Sequence, residues 1–289
     1  MPLVFAAALG GNLSIIGAPG NLIGTNALNE LGIETGFFEY IGVGLPMLVF
    51  GILYFAVFGY KLLPDNKDLV SADDDQFAAK DFSGVPVWKQ TASLVILILS
   101  ILAMIFEKQI GVKLHVSASV GAIILILTGV ISEKEALRSI DLKTVFLFGG
   151  SLALASALET TGAGTLVADA IIHALGDTPS PFLLLLVIWI VTCALTNFMS
   201  NTATTALMVP IAVALAQGVG ADPRAVVVAT VIAGSCAYAT PIGMPANTMV
   251  VGIGGYSFRD YVKAGLPLIG VSFVICMVLL PILFPFFPG

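Results

Sequence analysis

Apolar residues run through this chain in long blocks separated by brief polar punctuation, instead of alternating or lining one helix face. The blocks are Leu3–Leu28, Ile41–Leu63, Thr91–Phe106, Val116–Ile131, Val145–Leu158, Phe182–Met199, Ala203–Val219, Ala225–Ile253 and Tyr261–Phe287. No ionisable side chain occurs from Met1 to Asn29, from Thr178 to Ala221, from Ala225 to Phe258 or from Ala264 to Gly289. Such stretches exceed the roughly 20 apolar residues that carry a helix across a bilayer's hydrocarbon core. The pattern predicts an all-α polytopic membrane protein, with the lipid bilayer as its surroundings.

Several blocks are too short or too interrupted to be simple spans. Phe182–Val219 is almost continuous, broken only at Ser200-Asn201-Thr202 with no charged loop, which predicts a re-entrant hairpin over 182–219. Non-helical backbone at that depth is tolerated only where it lines a cavity or is buried in protein. Within the fourteen residues 192–205, Thr192, Thr196, Asn197, Ser200, Asn201, Thr202, Thr204 and Thr205 crowd together. Their hydroxyls and amides suit an alkali cation as oxygen ligands, and their N–H and O–H groups suit an anion's oxygens. Interhelical hydrogen-bond glue alone, at about 0.6–2 kcal/mol per contact, does not favour clustering them at a helix break.

The chain also repeats itself. Ile16-Gly17-Ala18-Pro19-Gly20-Asn21 interrupts one apolar helix and Ile242-Gly243-Met244-Pro245-Ala246-Asn247 another. Phe37-Phe38-Glu39-Tyr40 with Gly44-Leu45-Pro46 is echoed by Phe258-Arg259-Asp260-Tyr261 with Gly265-Leu266-Pro267. Counting crossings, the second broken helix (225–253) runs opposite to the first, an inverted repeat of the kind that secondary transporters build around a midplane site. Each break frees carbonyls for a small cation and presents half-helix N-termini to an anion. Residues 1–63 then form the end of a first repeat, 64–89 a connector, and 90–289 a second repeat closing in a last span over 261–287. Ser200 precedes Gly243 by 43 residues, so the partner hairpin of the first repeat is expected upstream of Met1. The chain therefore reads as the C-terminal portion of a longer transporter, lacking N-terminal spans and a first hairpin.

Composition narrows the function. The chain is 58% hydrophobic and 10% charged, against about 25% charged in soluble domains, which excludes an ordinary cytosolic enzyme. The net charge of −6 with 12 scattered basic residues leaves no basic face for nucleic acid. Lys61, Lys67, Lys80, Lys89, Lys134, Arg138, Lys143, Arg259 and Lys263 fall on one side, with only Lys108, Lys113 and Arg224 on the other. The positive-inside rule makes the first side, including the acidic connector, cytoplasmic and puts the C-terminus outside a plasma or inner membrane. Cys193, Cys236 and Cys276 lack metal-ligand spacing, and His115 and His173 stand near segment ends. Neither Glu159 nor Asp169 has a nucleophile at readable spacing, so no enzyme is expected. No buried carboxylate or histidine marks a proton relay.

The tip S-N-T-A-T-T-A-L-M-V-P-I (200–211) and the stretch Ser235–Asn247 together resemble the divalent anion/sodium symporter family, a likeness that covers the whole chain. The resemblance implies a homodimer with a scaffold and a moving transport domain. It implies sodium-coupled carriage of sulfate or a dicarboxylate by an elevator-type motion, with no organic cofactor. Thr196, Ser200, Asn201 and the Gly243 carbonyl would form one sodium site, with Asn247 bracing the loop. Gly17 and Asn21 would contribute to the other. Asn201 and Thr202 would face the substrate, as would Met244 and Ala18, where the family commonly has Thr. The missing hydroxyls weigh against a dicarboxylate and leave sulfate or another small anion. An oxyanion efflux permease and a transport-incompetent fragment are the alternatives.

Overall fold

A computed structural model describes residues 1–64, 84–140, 160–176 and 179–287, with isolated positions between 142 and 157. The acidic stretch 65–83, most of the block Val145–Leu158 and Glu159 lie outside the described residues. The described residues hold helices and no strand.

The chain divides into two compact units, Met1–Ala72 with Thr144–Gly289, and Asp73–Lys143. In the second, α4 (Val87–Ile105) and α6 (Leu114–Leu127) pack together across the short turn helix α5 (Glu107–Ile110). Ser100 faces Gly121, where a methyl group would collide with the Ser100 hydroxyl. Close approach at small residues is how helices associate in lipid, since lipid tails are as apolar as leucine. A short α7 (Glu133–Arg138) follows, its N-terminus closed by a Ser132–Glu135 capping box. The hydrogen bonds from Ser132 hold the Glu135 carboxyl below its ordinary range.

The larger unit contains both predicted breaks. α1 (Pro2–Gly10) ends at Gly11, and α2 (Pro19–Glu30) starts with Pro19 at its first position, where the missing N–H costs nothing. α3 (Ile41–Val57) follows. Later come α8 (Ala163–Ala174), α9 (Pro181–Thr196), α10 (Asn201–Gly218), α11 (Arg224–Gly234), α12 (Pro245–Gly254) and α13 (Phe258–Leu283). Among the described residues, only α4 and α13 are long and apolar enough to cross a membrane as single helices. α8 is a finding the blocks do not show: its Asp169 is exposed, and the helix packs against α10 through Ile172. At the centre lies α11, buried from Ala225 to Gly234. Arg224 at its start reaches back to the Glu34 carbonyl at 3.0 Å and to Glu39 at 3.8 Å.

The sequence repeat has a structural counterpart, bond for bond. Asn21 Nδ2 donates to the carbonyls of Gly11 (2.8 Å) and Ser14 (2.7 Å), ten and seven residues upstream. Asn247 Nδ2 donates to Ala237 (2.8 Å) and Thr240 (2.9 Å), at the same offsets. Tyr40 Oη donates to the Asn21 carbonyl at 2.9 Å, and Tyr261 Oη to that of Asn247 at 2.8 Å. Glu39 accepts from Gly36 N–H and Asp260 from Ser257 N–H, each three residues back. A Cβ on Gly44 would strike the Asn12 carbonyl oxygen, and one on Gly265 that of Tyr238. So the acidic residue closes the turn before α3 or caps α13, the tyrosine pins the asparagine, and the glycine lets the following helix touch the broken backbone.

Equivalent helices run in opposite directions. Gly42 lies by Leu283, Gly51 by Leu268, and Tyr54 Oη donates to Ala264 O at 2.8 Å, so α3 and α13 are antiparallel. Gly20 and Gly234 both abut Thr205, while Gly24 meets Val231 and Val227, so α2 runs antiparallel to α11, the half-helix before the second break; its own counterpart in the repeat is α12.

These contacts set two expectations. Gly44→Ala and Gly265→Ala each lower stability in detergent by about 1–3 kcal/mol, the ordinary cost of overpacking. Gly10→Ala, where a Cβ meets open space, leaves it unchanged. Tyr261→Phe costs about 1 kcal/mol, one net hydrogen bond. Thermal unfolding of the purified variants measures all four, and equal melting temperatures would remove the glycine-contact account.

Candidate functional site

Helix α9 ends at Thr196 and α10 begins at Asn201, leaving a four-residue tip. Ser200 is the N-cap of α10: its Oγ accepts from Ala203 N–H at 3.2 Å. The predicted ligand role therefore falls on a hydroxyl that is already capping a helix, and Ser200 itself is exposed. Asn201, one residue on, points inward.

What it meets is a set of oxygens. One terminal atom of the Asn201 amide lies 3.2 Å from the Gly234 carbonyl oxygen, 3.2 Å from that of Gly243 and 2.8 Å from Thr196 Oγ1. Thr196 Oγ1 also donates to Gly234 O at 2.5 Å. With its nitrogen inward, the amide donates to these oxygens. With its oxygen inward, the Thr196 hydroxyl is its one donor and the Gly234 and Gly243 carbonyls face another acceptor, an arrangement that a small cation would relieve. The group thus accepts either a proton donor or a small hard cation. Gly234 O is available because it is one of the last carbonyls of α11, which have no intrahelical partner.

Three of the predicted residues, Thr196, Asn201 and Gly243, converge here. Asn247 sits behind them as the clamp on Ala237 and Thr240. Thr202 is half-buried on the first turn of α10. Met244 is buried and its carbonyl accepts from Asn247 N–H. Ala18 is the extended N-cap residue of α2. Gly17 packs on Gly11, and Asn21 closes the first break. The two breaks meet at α10: Thr205 donates to Asn201 O at 2.8 Å and fills the space between Gly20 and Gly234. The N-termini of α2 and α10 therefore open close together, that of α10 capped by Ser200 and that of α2 without a side-chain cap. No Asp, Glu, His, Lys or Arg occurs in 11–21, 196–205 or 234–247.

Sequence reasoning did not assign five contributors. The Gly234 carbonyl carries no side-chain signal. Asn197 stands in the polar run, but its role emerges only from the fold. Its Nδ2 donates to Cys193 O (2.7 Å) and Cys236 O (3.3 Å), and its Oδ1 accepts from Ala239 N–H at 2.9 Å. Thr240 Oγ1 donates to Asn197 O and accepts from Gly243 N–H at 3.1 Å. Asn197 and Thr240 thus tie the end of α9 to the second break. The tyrosines Tyr40 and Tyr261 belong to a motif visible in the sequence, yet nothing there names their acceptors.

Comparison with known proteins places the chain among membrane transporters. A family model described as citrate transporter, CitMHS, matches residues 1–233. An uncharacterized transporter of Haemophilus influenzae is 30% identical over 91% of this chain and 58% of its own length. The uncharacterized transporter YfbS of Escherichia coli is 36% identical over 54% of this chain and 25% of its own. The sodium-dependent dicarboxylate transporter SdcS of Staphylococcus saprophyticus is 25% identical over 95% of this chain and 58% of its own. The chain spans less than two thirds of the length of each of these relatives. With a family match over most of its length, and with the divalent anion/sodium symporter motifs seated around one polar pocket, the chain belongs to the citrate transporter family of membrane transport proteins.

Proposed function

We propose that the chain is part of a sodium-coupled secondary transporter of a small divalent anion, sulfate or a dicarboxylate. The observation that carries this reading is the meeting of Asn201, Thr196, Gly234 O and Gly243 O in a region without charged side chains. A sodium ion among those oxygens supplies the positive charge that no Lys or Arg provides there. The anion then rests against the cation, the Asn201–Thr202 turn and the helix N-termini. Coupling follows, because the anion binds poorly until the cation is in place. The name of the SdcS relatives, sodium-dependent dicarboxylate transporters, points the same way.

The antiparallel course of the equivalent helices α3 and α13 supports an inverted repeat. α9 and α10 have 16 and 18 residues, or about 24 and 27 Å of helix, short of a full crossing and in favour of a re-entrant hairpin. In this reading, residues 64–89 are cytoplasmic and the C-terminus is outside, in a homodimer that works by an elevator-type motion. In this reading a second hairpin would complete the site at the first break around Gly17 and Asn21. Met244 and Ala18 give the anion side fewer hydroxyls than the family commonly has, which favours sulfate.

Uptake into proteoliposomes tests the assignment. Asn201→Ala should raise the sodium concentration for half-maximal uptake by about tenfold to a hundredfold, the loss of one ligand to a charge. Unaltered sodium dependence in a variant that purifies normally would sink the site. Met244→Thr is expected to move preference from sulfate toward succinate. The same ratio of the two uptakes in variant and parent would overturn the selectivity argument.

A further inference from the structure

Between α9 and α13 the larger unit holds a cavity of about 530 Å3, a size typical of small-molecule sites. Trp189, Ile190, Phe198, Phe258, Leu266 and Phe273 shape its walls, and no charged residue lines it. Its amide and hydroxyl, Asn197 and Thr240, are already engaged with each other and with Cys193, Cys236, Ala239 and Gly243. The walls therefore offer an ion no charge, and a water molecule needs two to four free polar partners to stay in such a place. Ile190, Phe198, Phe258 and Leu266 are exposed, and they sit on elements of a membrane transport protein, where the adjoining medium is hydrocarbon. A protein helix, 10–12 Å across, would place little more than one turn in this volume. A single unbranched alkyl chain enters it lengthwise.

We propose that this cavity is a binding site for one lipid acyl chain. The seated chain touches Asn197 and Thr240, the pair that fastens α9 to the second break, so it bears on the junction beside the oxygen cluster. Binding itself does not depend on which ions the protein moves.

Gly270 provides the test, because it lines the cavity and a Cβ there meets nothing within 4 Å. The full chain in nanodiscs is irradiated with palmitate carrying a terminal diazirine, and labelled peptides are mapped by mass spectrometry. Label should concentrate on 189–198 and 258–273, and Gly270→Phe should cut it by at least about tenfold, the loss of 1.4 kcal/mol of binding. Ala194→Leu, on the opposite wall, should do the same and covers the case in which Gly270→Phe does not fold. Equal labelling in both variants would overturn the proposal. So would label spread evenly over the exposed helices, or cavity peptides protected by crosslinking to another protein segment or a second copy.

Discussion

A peptide group held away from water must find a partner, and this requirement shapes the larger unit more than any other. Where a helix stops in apolar surroundings, its last carbonyls and the next helix's first N–H groups lose theirs, at several kcal/mol each. The chain meets this twice with one device. An asparagine one turn into the second half-helix folds its amide back onto two carbonyls of the broken stretch, and a tyrosine from the next helix takes up the asparagine's own carbonyl. The buried amide oxygens of Asn21 and Asn247 are left without protein partners in both copies, which underlines how alike the two solutions are.

The same accounting explains where the chemistry collects. Asn247 takes the Ala237 and Thr240 carbonyls, while those of Gly234 and Gly243 face Asn201, with Thr196 Oγ1 donating to Gly234 O. The break thereby gathers backbone and side-chain oxygens at one point. With no formal charge nearby, that point is governed by dipoles. Asn197 and Thr240 keep the point fixed by binding α9 to the break.

Packing in this unit relies on proximity. Glycines at 20, 24, 44, 51 and 265 sit where any Cβ would press on a neighbour, three of them on the helices that follow the breaks. In lipid there is little hydrophobic gain from joining two helices, so close van der Waals contact and interhelical hydrogen bonds carry the association. The nearly total burial of α11 follows from its position among α2, α9, α10 and α13.

Much of this was legible in the residues. Uninterrupted apolar blocks without charge demand helices in a membrane, and Gly-x-Pro-x-Asn within such a block demands a break, because glycine and proline both disfavour a helix interior. The family resemblance named Asn247, Thr196 and Asn201, and the fold brings Thr196 and Asn201 together in front of the break that Asn247 clamps. Ser200 illustrates the limit: Ser-Asn-Thr spells both a ligand cluster and an N-cap, and the fold uses Ser200 for the cap. Helix α8 escaped notice because its apolar residues are interleaved with Asp169 and His173 on a single-sided helix. The Gly234 carbonyl, the Asn197–Thr240 tie and the apolar cavity between α9 and α13 were out of reach. Backbone oxygens have no letter in a sequence, and a cavity exists only between elements whose separation the tertiary structure sets. Local chemistry fixed where the helices break; only the packing of distant segments decided which freed oxygens would meet.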